Sequence, residues 1–69
     1  MEVYFMLTDK ENYGTVIGGK DGKHYQYVPS KKEWVRSGIM LEYYCDESPL
    51  YELYEEITKE KAMELIEKM

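Results

Sequence analysis

Alternating apolar and polar positions predict an antiparallel sheet in the first half of the chain. Val3, Phe5 and Leu7 recur at every second position, as in a half-buried strand. A β-branched run resumes at residues 15–17, and residues 24–28 alternate again. Short polar segments separate the three runs, so we expect a three-stranded β-meander.

Glycine and proline residues are expected to form the turns and ends of strands in this meander. The Asp21-Gly22 dipeptide accepts the positive φ angles of a type I′ hairpin turn. Gly18 and Gly19 are expected to weaken the second strand, or to let it bend or bulge. Pro29 is expected to end the regular pairing of the third strand or to place it at an edge.

The middle of the chain carries weaker signals. Residues 34–36 can form a short fourth strand, with Trp34 at the centre of the core because its side chain has the largest apolar area. Residues 38–45 can be a short helix capped by Ser37 or a strand, and the helix is favoured. Residues 50–56 are either irregular or a short strand.

The last thirteen residues, 57–69, predict an amphipathic helix. Thr58 is the expected N-cap, and Ile57 and Ala62 are spaced as a hydrophobic staple. Glu64 and Lys68 form a favourable i,i+4 pair. The apolar stripe consists of Ala62, Leu65, Ile66 and Met69. A helix of this length is marginal alone, so the sheet must cover its stripe.

These elements predict an α+β fold in a single small domain, residues 1–69. A small antiparallel sheet of three or four strands, beginning with the β-meander, packs against the C-terminal helix, with a short extra helix near residues 38–45 as an option. The expected core is Val3, Phe5, Leu7, Val16, Tyr27, Trp34, Leu53, Ile57, Ala62, Leu65 and Ile66.

Composition adds an excess of aromatic residues and a single cysteine. Eight tyrosines, one tryptophan and one phenylalanine are too many for a chain of 69 residues to bury, so some are expected at the surface. Cys45 alone excludes an internal disulfide and suggests a reducing compartment. With no signal peptide and no membrane span in the pattern, we expect a cytoplasmic protein, and its small size suggests a bacterial or phage origin.

Catalytic chemistry is not indicated. His24 and Cys45 could form a base and nucleophile only if the fold brought them together, and the more ordinary reading is a solvated histidine and a packed cysteine. One histidine and one cysteine fall short of a zinc site, and no phosphate-binding or calcium-binding motif is present. We therefore expect no enzyme, no metal and no cofactor.

The charge of −5 is unevenly distributed along the chain. Residues 20–36 are mildly basic and could bind single-stranded nucleic acid weakly, with tyrosines stacking on bases. That region contains Lys20, Lys23, Tyr25, Tyr27, Lys31, Lys32, Trp34 and Arg36. Because the whole molecule is acidic, nucleic acid would repel it. We therefore rank nucleic-acid binding third, after the two functions described next.

Residues 37–58 hold six acidic residues and no basic one. Carboxylates interleaved with tyrosines favour an interaction surface for another protein with a basic surface. The candidate residues are Glu42, Tyr43, Tyr44, Asp46, Glu47, Tyr51, Glu52, Tyr54, Glu55 and Glu56. We expect a non-enzymatic accessory or protein-interaction domain. The alternative is an acidic nucleic-acid mimic that inhibits a DNA- or RNA-binding protein, and a homodimer is also open because sheet edges can pair.

Overall fold

Five strands form one antiparallel sheet, and a helix packs on each of its two faces. The computed structural model describes residues 1–69. The elements are β1 Val3–Leu7, β2 Val16–Lys20, β3 Lys23–Val28, β4 Glu33–Arg36, α1 Met40–Tyr44, β5 Tyr54–Ile57 and α2 Lys59–Glu67. The strand order is β4-β3-β2-β1-β5, so β1–β3 form the predicted three-stranded meander, β4 is the optional fourth strand, and β5 returns to pair with β1.

The fifth strand corrects the prediction of three or four strands. Tyr54 pairs with Leu7, and Ile57 pairs with Tyr4. A short strand is one of the two alternatives for residues 50–56, and β5 lies mainly in that range. Its two adjacent glutamates interrupt an apolar alternation, so the sequence pattern does not decide between the alternatives. β5 is held by its backbone pairing with β1 rather than by a strong intrinsic propensity of its residues for strand structure.

α2 covers one face of the sheet, which we call the α2 face. Ala62 is buried there against Tyr4 and Val16, and Leu65 and Ile66 pack around them. The predicted N-cap is confirmed, because Thr58 Oγ1 accepts a hydrogen bond of 3.1 Å from the backbone N–H of Lys61. Lys68 also donates to Glu64 at 3.1 Å, as predicted, whereas Met69 follows the helix and is half exposed.

α1 and the segment after it cover the opposite face, which we call the α1 face. Met40 and Tyr43 pack against Leu7 and Ile17, and all four are almost completely buried. Leu50, in the loop after α1, packs against this cluster. The helical prediction for residues 38–45 is thus confirmed, although Ser37 does not cap the helix: its hydroxyl accepts from Ile39 N–H, one residue before α1 begins.

Because both faces are covered, the core differs from the expected list. Tyr4 and Met6, which alternate with the expected core residues of β1, are buried, while Val3 is 37% exposed. Leu53, also expected in the core, is 40% exposed. Trp34 is only half-buried, because β4 is an edge strand and the sheet ends beside it. The core is therefore divided between two clusters and has no central tryptophan.

The prediction of the hairpin turn is confirmed, whereas the prediction of a bend or bulge at the glycine pair is not. Asp21 and Gly22 both have positive φ, 52° and 73°, and Lys20 pairs with Lys23, so the two-residue turn is confirmed. Gly18 and Gly19 do not produce a bulge, because the register of β2 is continuous with both neighbours. A Cβ on Gly18 would lie 3.2 Å from the Trp34 ring, so this glycine allows the ring to approach the sheet closely.

Candidate functional site

Two adjacent tyrosines of the candidate surface, Tyr43 and Tyr44, lie on opposite sides of α1. Met40 and Tyr43, three residues apart, lie on the buried side of the helix, while Leu41, Glu42 and Tyr44 are exposed. Tyr43 is completely buried, so it belongs to the core of the α1 face and not to an accessible surface. This corrects its place among the candidate surface residues.

Tyr54 connects the exposed and the buried parts of this region. Its ring lies 5.6 Å from the ring of Tyr44, 6.5 Å from that of Tyr43 and 5.4 Å from that of Phe5, with each pair close to perpendicular. Edge-to-face geometry is the favourable arrangement for aromatic pairs. Tyr54 is half-buried and packs against Tyr44, which remains 43% exposed.

The remaining candidate residues are all exposed. They are Glu42, Tyr44, Asp46, Glu47, Tyr51, Glu52, Glu55 and Glu56. The loop that bears Tyr51 and Glu52 is fixed to α1 by a backbone hydrogen bond of 3.0 Å from Glu52 N–H to the Tyr43 carbonyl. Glu52 has a positive φ of 62°, an uncommon conformation outside glycine, which this bond helps to hold.

The two glutamates of β5 lie on opposite faces of the sheet. Residues paired across a ladder share a face, and successive residues of a strand alternate. Glu56 pairs with Phe5 and lies on the α1 face, whereas Glu55 pairs with Met6 and lies on the α2 face. Glu55 is therefore separated from the rest of the candidate surface, and we define the acidic surface as Glu42, Tyr44, Asp46, Glu47, Tyr51, Glu52 and Glu56.

No cationic side chain forms an ion pair with a carboxylate of the acidic surface. The ion pairs of the protein are both in α2, where Glu64 contacts Lys61 at 3.9 Å and Lys68 at 3.1 Å. The hydrogen bond from Lys68, with the charges of both lysines, lowers the pKa of Glu64. The carboxylates of the acidic surface lack such partners, so this part of the molecule presents a negative field to solvent.

A buried polar cluster lies beneath α1, and no local pattern in the sequence indicates it. The Tyr43 hydroxyl donates to Asp9 Oδ1 at 2.5 Å, and Asn12 donates to Asp9 Oδ2 from its backbone N–H at 3.2 Å and from Nδ2 at 3.3 Å. Asp9 is only 5% exposed. Burial alone would raise its pKa, but the hydrogen bonds from Tyr43 and Asn12 outweigh burial and lower it.

Tyr43 is perturbed in the opposite direction. Burial, and then the hydrogen bond to the Asp9 carboxylate, raise its pKa from 10.0 to about 12. All polar atoms of the cluster have partners, because no buried side-chain nitrogen or oxygen in the protein lacks a hydrogen bond. The arrangement is a satisfied structural network.

His24 and Cys45 do not interact as a base and a nucleophile. His24 Nε2 forms a hydrogen bond of 3.1 Å with the Tyr44 hydroxyl, and their rings lie 5.6 Å apart. Cys45 is an exposed free thiol with no hydrogen bond to His24. No group of three or more His, Cys, Asp or Glu side chains is arranged to hold a metal ion.

An open cleft of about 460 Å³ lies between α1 and the ends of β3 and β4. His24, Tyr44, Met40 and Leu41 contribute to its lining. Lys23 and Arg36 also border it, but strand alternation places both on the α2 face, opposite to His24.

Two of the three aromatic residues of the basic region, Tyr27 and Trp34, are used in packing. Tyr27 and Trp34 are paired across β3 and β4, with their rings 5.4 Å apart, and both contact the cluster beneath α2. These rings are half-buried, so they are not a free platform for bases. Lys20, Lys23, Lys31 and Lys32 are exposed.

Comparison of the chain with protein-family models, with curated proteins and with solved structures finds no match. The two helices have five and nine residues, and neither has the length and apolar character needed to cross a bilayer.

Proposed function

We propose that the protein is a non-enzymatic interaction module that binds another protein with a basic surface through the acidic surface. The observation that carries the proposal is the combination of unpaired carboxylates and exposed apolar groups in one segment. Tyr44 and Tyr51 are 43% and 41% exposed, and Leu41, which lines the cleft together with Tyr44, is 74% exposed. Apolar contact area of this kind supplies affinity, while the carboxylates steer the partner.

The rigidity of the segment supports the same proposal. Tyr44 packs against Tyr54, and the Glu52 backbone is bonded to α1, so the surface is held before a partner arrives. A preformed surface loses less conformational entropy on binding than a flexible one. The proposed location of the protein is the cytoplasm, and its proposed partner is not nucleic acid.

The alternative is an acidic mimic of nucleic acid that blocks a DNA- or RNA-binding protein. The unpaired carboxylates support it, while the exposed apolar side chains favour an ordinary protein partner, because a mimic depends chiefly on charge. The salt dependence of binding distinguishes the two. A mimic should lose most of its affinity at high salt, whereas an interface with an apolar centre should retain much of it.

A charge-reversal experiment tests the proposal. In the test variant Glu42, Glu47 and Glu56 become lysine, and in the control variant Glu11, Glu33 and Glu60 become lysine. All six residues are exposed and the net charge changes equally, so only the position of the change differs. Both variants and the parent protein are used to capture partners from a lysate at low and high salt. We expect a discrete partner that the control variant retains and the test variant loses.

Equal loss in both variants would show that only net charge matters and would contradict a specific acidic surface. Retention of the partner by the test variant would also contradict it. Circular dichroism of each variant establishes that the sheet and helices are intact before binding is compared.

A further inference from the structure

We infer that the outer edge of β4 pairs with the same edge of a second copy of this chain, which gives a two-fold dimer with a continuous sheet. This inference is independent of the acidic surface. It rests on the free backbone groups of the two edge strands, β4 and β5, and on the side chains that each edge would place opposite itself.

The hydrogen bonds between β3 and β4 show which backbone groups of β4 are free. Ser37 N–H donates to the His24 carbonyl, so residues 24 and 37 occupy a hydrogen-bonded position of the antiparallel ladder. Hydrogen-bonded and non-hydrogen-bonded positions alternate. Val35 therefore turns its N–H and C=O toward β3, whereas Trp34 and Arg36 direct theirs outward.

This alternation selects the register of a symmetric pair. If Trp34 lies opposite Arg36 of the second copy, both residues exchange N–H···O=C bonds, and the two-fold axis repeats the same pair. The axis then passes between the two copies of Val35, which face each other in the close, non-hydrogen-bonded position, with Cα atoms about 4.5 Å apart. Val35 is 36% exposed in the monomer, so the pairing covers an apolar side chain that now meets water.

Side-chain chemistry favours the same register. Arg36 and Trp34 both lie on the α2 face, so the guanidinium of one copy would lie near the indole of the other, a favourable cation–π arrangement. Moving the register by two residues in either direction places Arg36 opposite Arg36, or Arg36 opposite Lys32. Like charges directly opposite each other destabilise a strand pair.

The edge of β5 is protected against the same pairing. Thr8 N–H donates to the Leu53 carbonyl, so Tyr54 and Glu56 carry the outward backbone groups of β5. Tyr54 opposite Glu56 brings the two copies of Glu55 together at the axis, and the neighbouring registers place Glu56 opposite Glu56 or Glu52. Every one of these registers opposes carboxylates, which is a common protection of natural edge strands. Only the β4 edge is complementary to itself.

The test uses Val35→Lys, which places two ammonium groups at the axis, with Leu41→Lys as the matched control. Both side chains are exposed aliphatic groups, and Leu41 lies on α1 and takes no part in the β4 ladder. Sedimentation equilibrium over a range of concentrations should give a parent mass that rises toward twice the monomer mass. The control should follow the parent protein, and Val35→Lys should remain monomeric.

Amide hydrogen exchange gives a second and more local measurement. In the monomer the N–H groups of Trp34 and Arg36 face solvent, so they should exchange rapidly in dilute samples. They should become protected as concentration rises in the parent protein and in Leu41→Lys, but not in Val35→Lys.

A parent protein that stays monomeric throughout, or a dimer without protection at Trp34 and Arg36, would overturn the inference. Larger assemblies that disappear on Glu56→Lys would overturn it as well, since they would indicate pairing of β4 with β5 from head to tail.

Discussion

The hydroxyl of Tyr43 and the carboxylate of Asp9, 34 residues apart in the chain, form a hydrogen bond of 2.5 Å beneath α1. This bond connects the loop after β1 to a helix that otherwise covers the sheet through apolar contacts. Asn12 completes the coordination of Asp9 from the same loop. One polar network thus joins the first and the second half of the molecule.

We expect Tyr43→Phe to destabilise the protein by about 1–3 kcal/mol, because a buried carboxylate loses a donor while the ring packing is retained. Urea unfolding measures the difference. Tyr13→Phe is the control, since Tyr13 is 70% exposed and should lose almost nothing when its hydroxyl is removed. In an Asp9→Ala background, Tyr43→Phe should cost much less, and an unchanged cost there would show that the hydroxyl acts through another group.

Stability should fall as the pH rises from 10 toward 12. The pKa of Tyr43 is raised from 10.0 to about 12, so in this interval the phenol ionises in the unfolded chain but stays neutral in the folded one. Burial also raises the pKa of Tyr44, so comparison with Tyr43→Phe isolates the contribution of Tyr43. Denaturant unfolding at several alkaline pH values should show a steeper decline for the parent protein than for the variant. Parallel curves would contradict the assignment.

At acid pH, stability should fall as the pH decreases. The pKa of Asp9 is lowered from 3.8 in the folded protein, so its contribution to stability is present above that pH and is lost as the pH falls through the folded pKa. Asp9→Asn removes the titrating group. Between pH 5 and pH 2, roughly the range in which carboxylates titrate, the variant should lose less stability than the parent protein. An equal loss would assign the acid sensitivity to other carboxylates.

Gly22→Ala should destabilise the hairpin by about 1 kcal/mol, because a Cβ at a φ of 73° is strained in the left-handed region. No atom lies within 4 Å of a Cβ placed there, so the cost comes from the backbone alone. Gly38→Ala is the matched control: its φ is not positive, and its Cβ would make an ordinary contact with Leu41. Thermal unfolding of both variants compares the two positions, and equal stability would contradict the strain argument.

Trp34→Ala should cost about 2–3 kcal/mol, less than the 3–5 kcal/mol typical of a fully buried tryptophan. The ring is half-buried, and its contacts with Tyr4 and Tyr27 are at centroid distances of 6.2 and 5.4 Å. Guanidinium unfolding provides the measurement. A loss above 4 kcal/mol, about the upper part of the core range, would show that the edge of the sheet contributes as much as its centre.

Features that depend on neighbouring residues could be predicted from the sequence. The Thr58 cap and the Asp21-Gly22 turn each depend on a few adjacent positions, and the structure has both. β1 also forms as a strand, but its predicted alternation of buried and exposed side chains is wrong, because both faces of the sheet are covered. A cap needs only a hydroxyl and a nearby N–H, and a type I′ turn needs only residues that accept positive φ.

Features that depend on distant partners could not be predicted in the same way. β5 is a strand because β1 offers it an edge, and Tyr43 is buried where the distant Leu7 and Ile17 cover its ring and Asp9 accepts its hydroxyl. The pattern around Tyr43 and Tyr44 gave no reason to bury one and expose the other. The candidate surface was predicted largely from charge. The structure removes two residues from it, because Tyr43 is buried and Glu55 lies on the α2 face.

The return of β5 to the side of β1 also affects how the chain folds during its synthesis. The four strands of residues 1–36 are joined by short connections and can pair as soon as they leave the ribosome. The apolar cover of the α1 face, with β5 at its edge, is synthesised only afterwards, in residues 37–57. Until that segment docks, Leu7 and Ile17 meet water on an open sheet. We therefore expect the nascent meander, with this apolar face uncovered, to be more prone to aggregation than the folded protein.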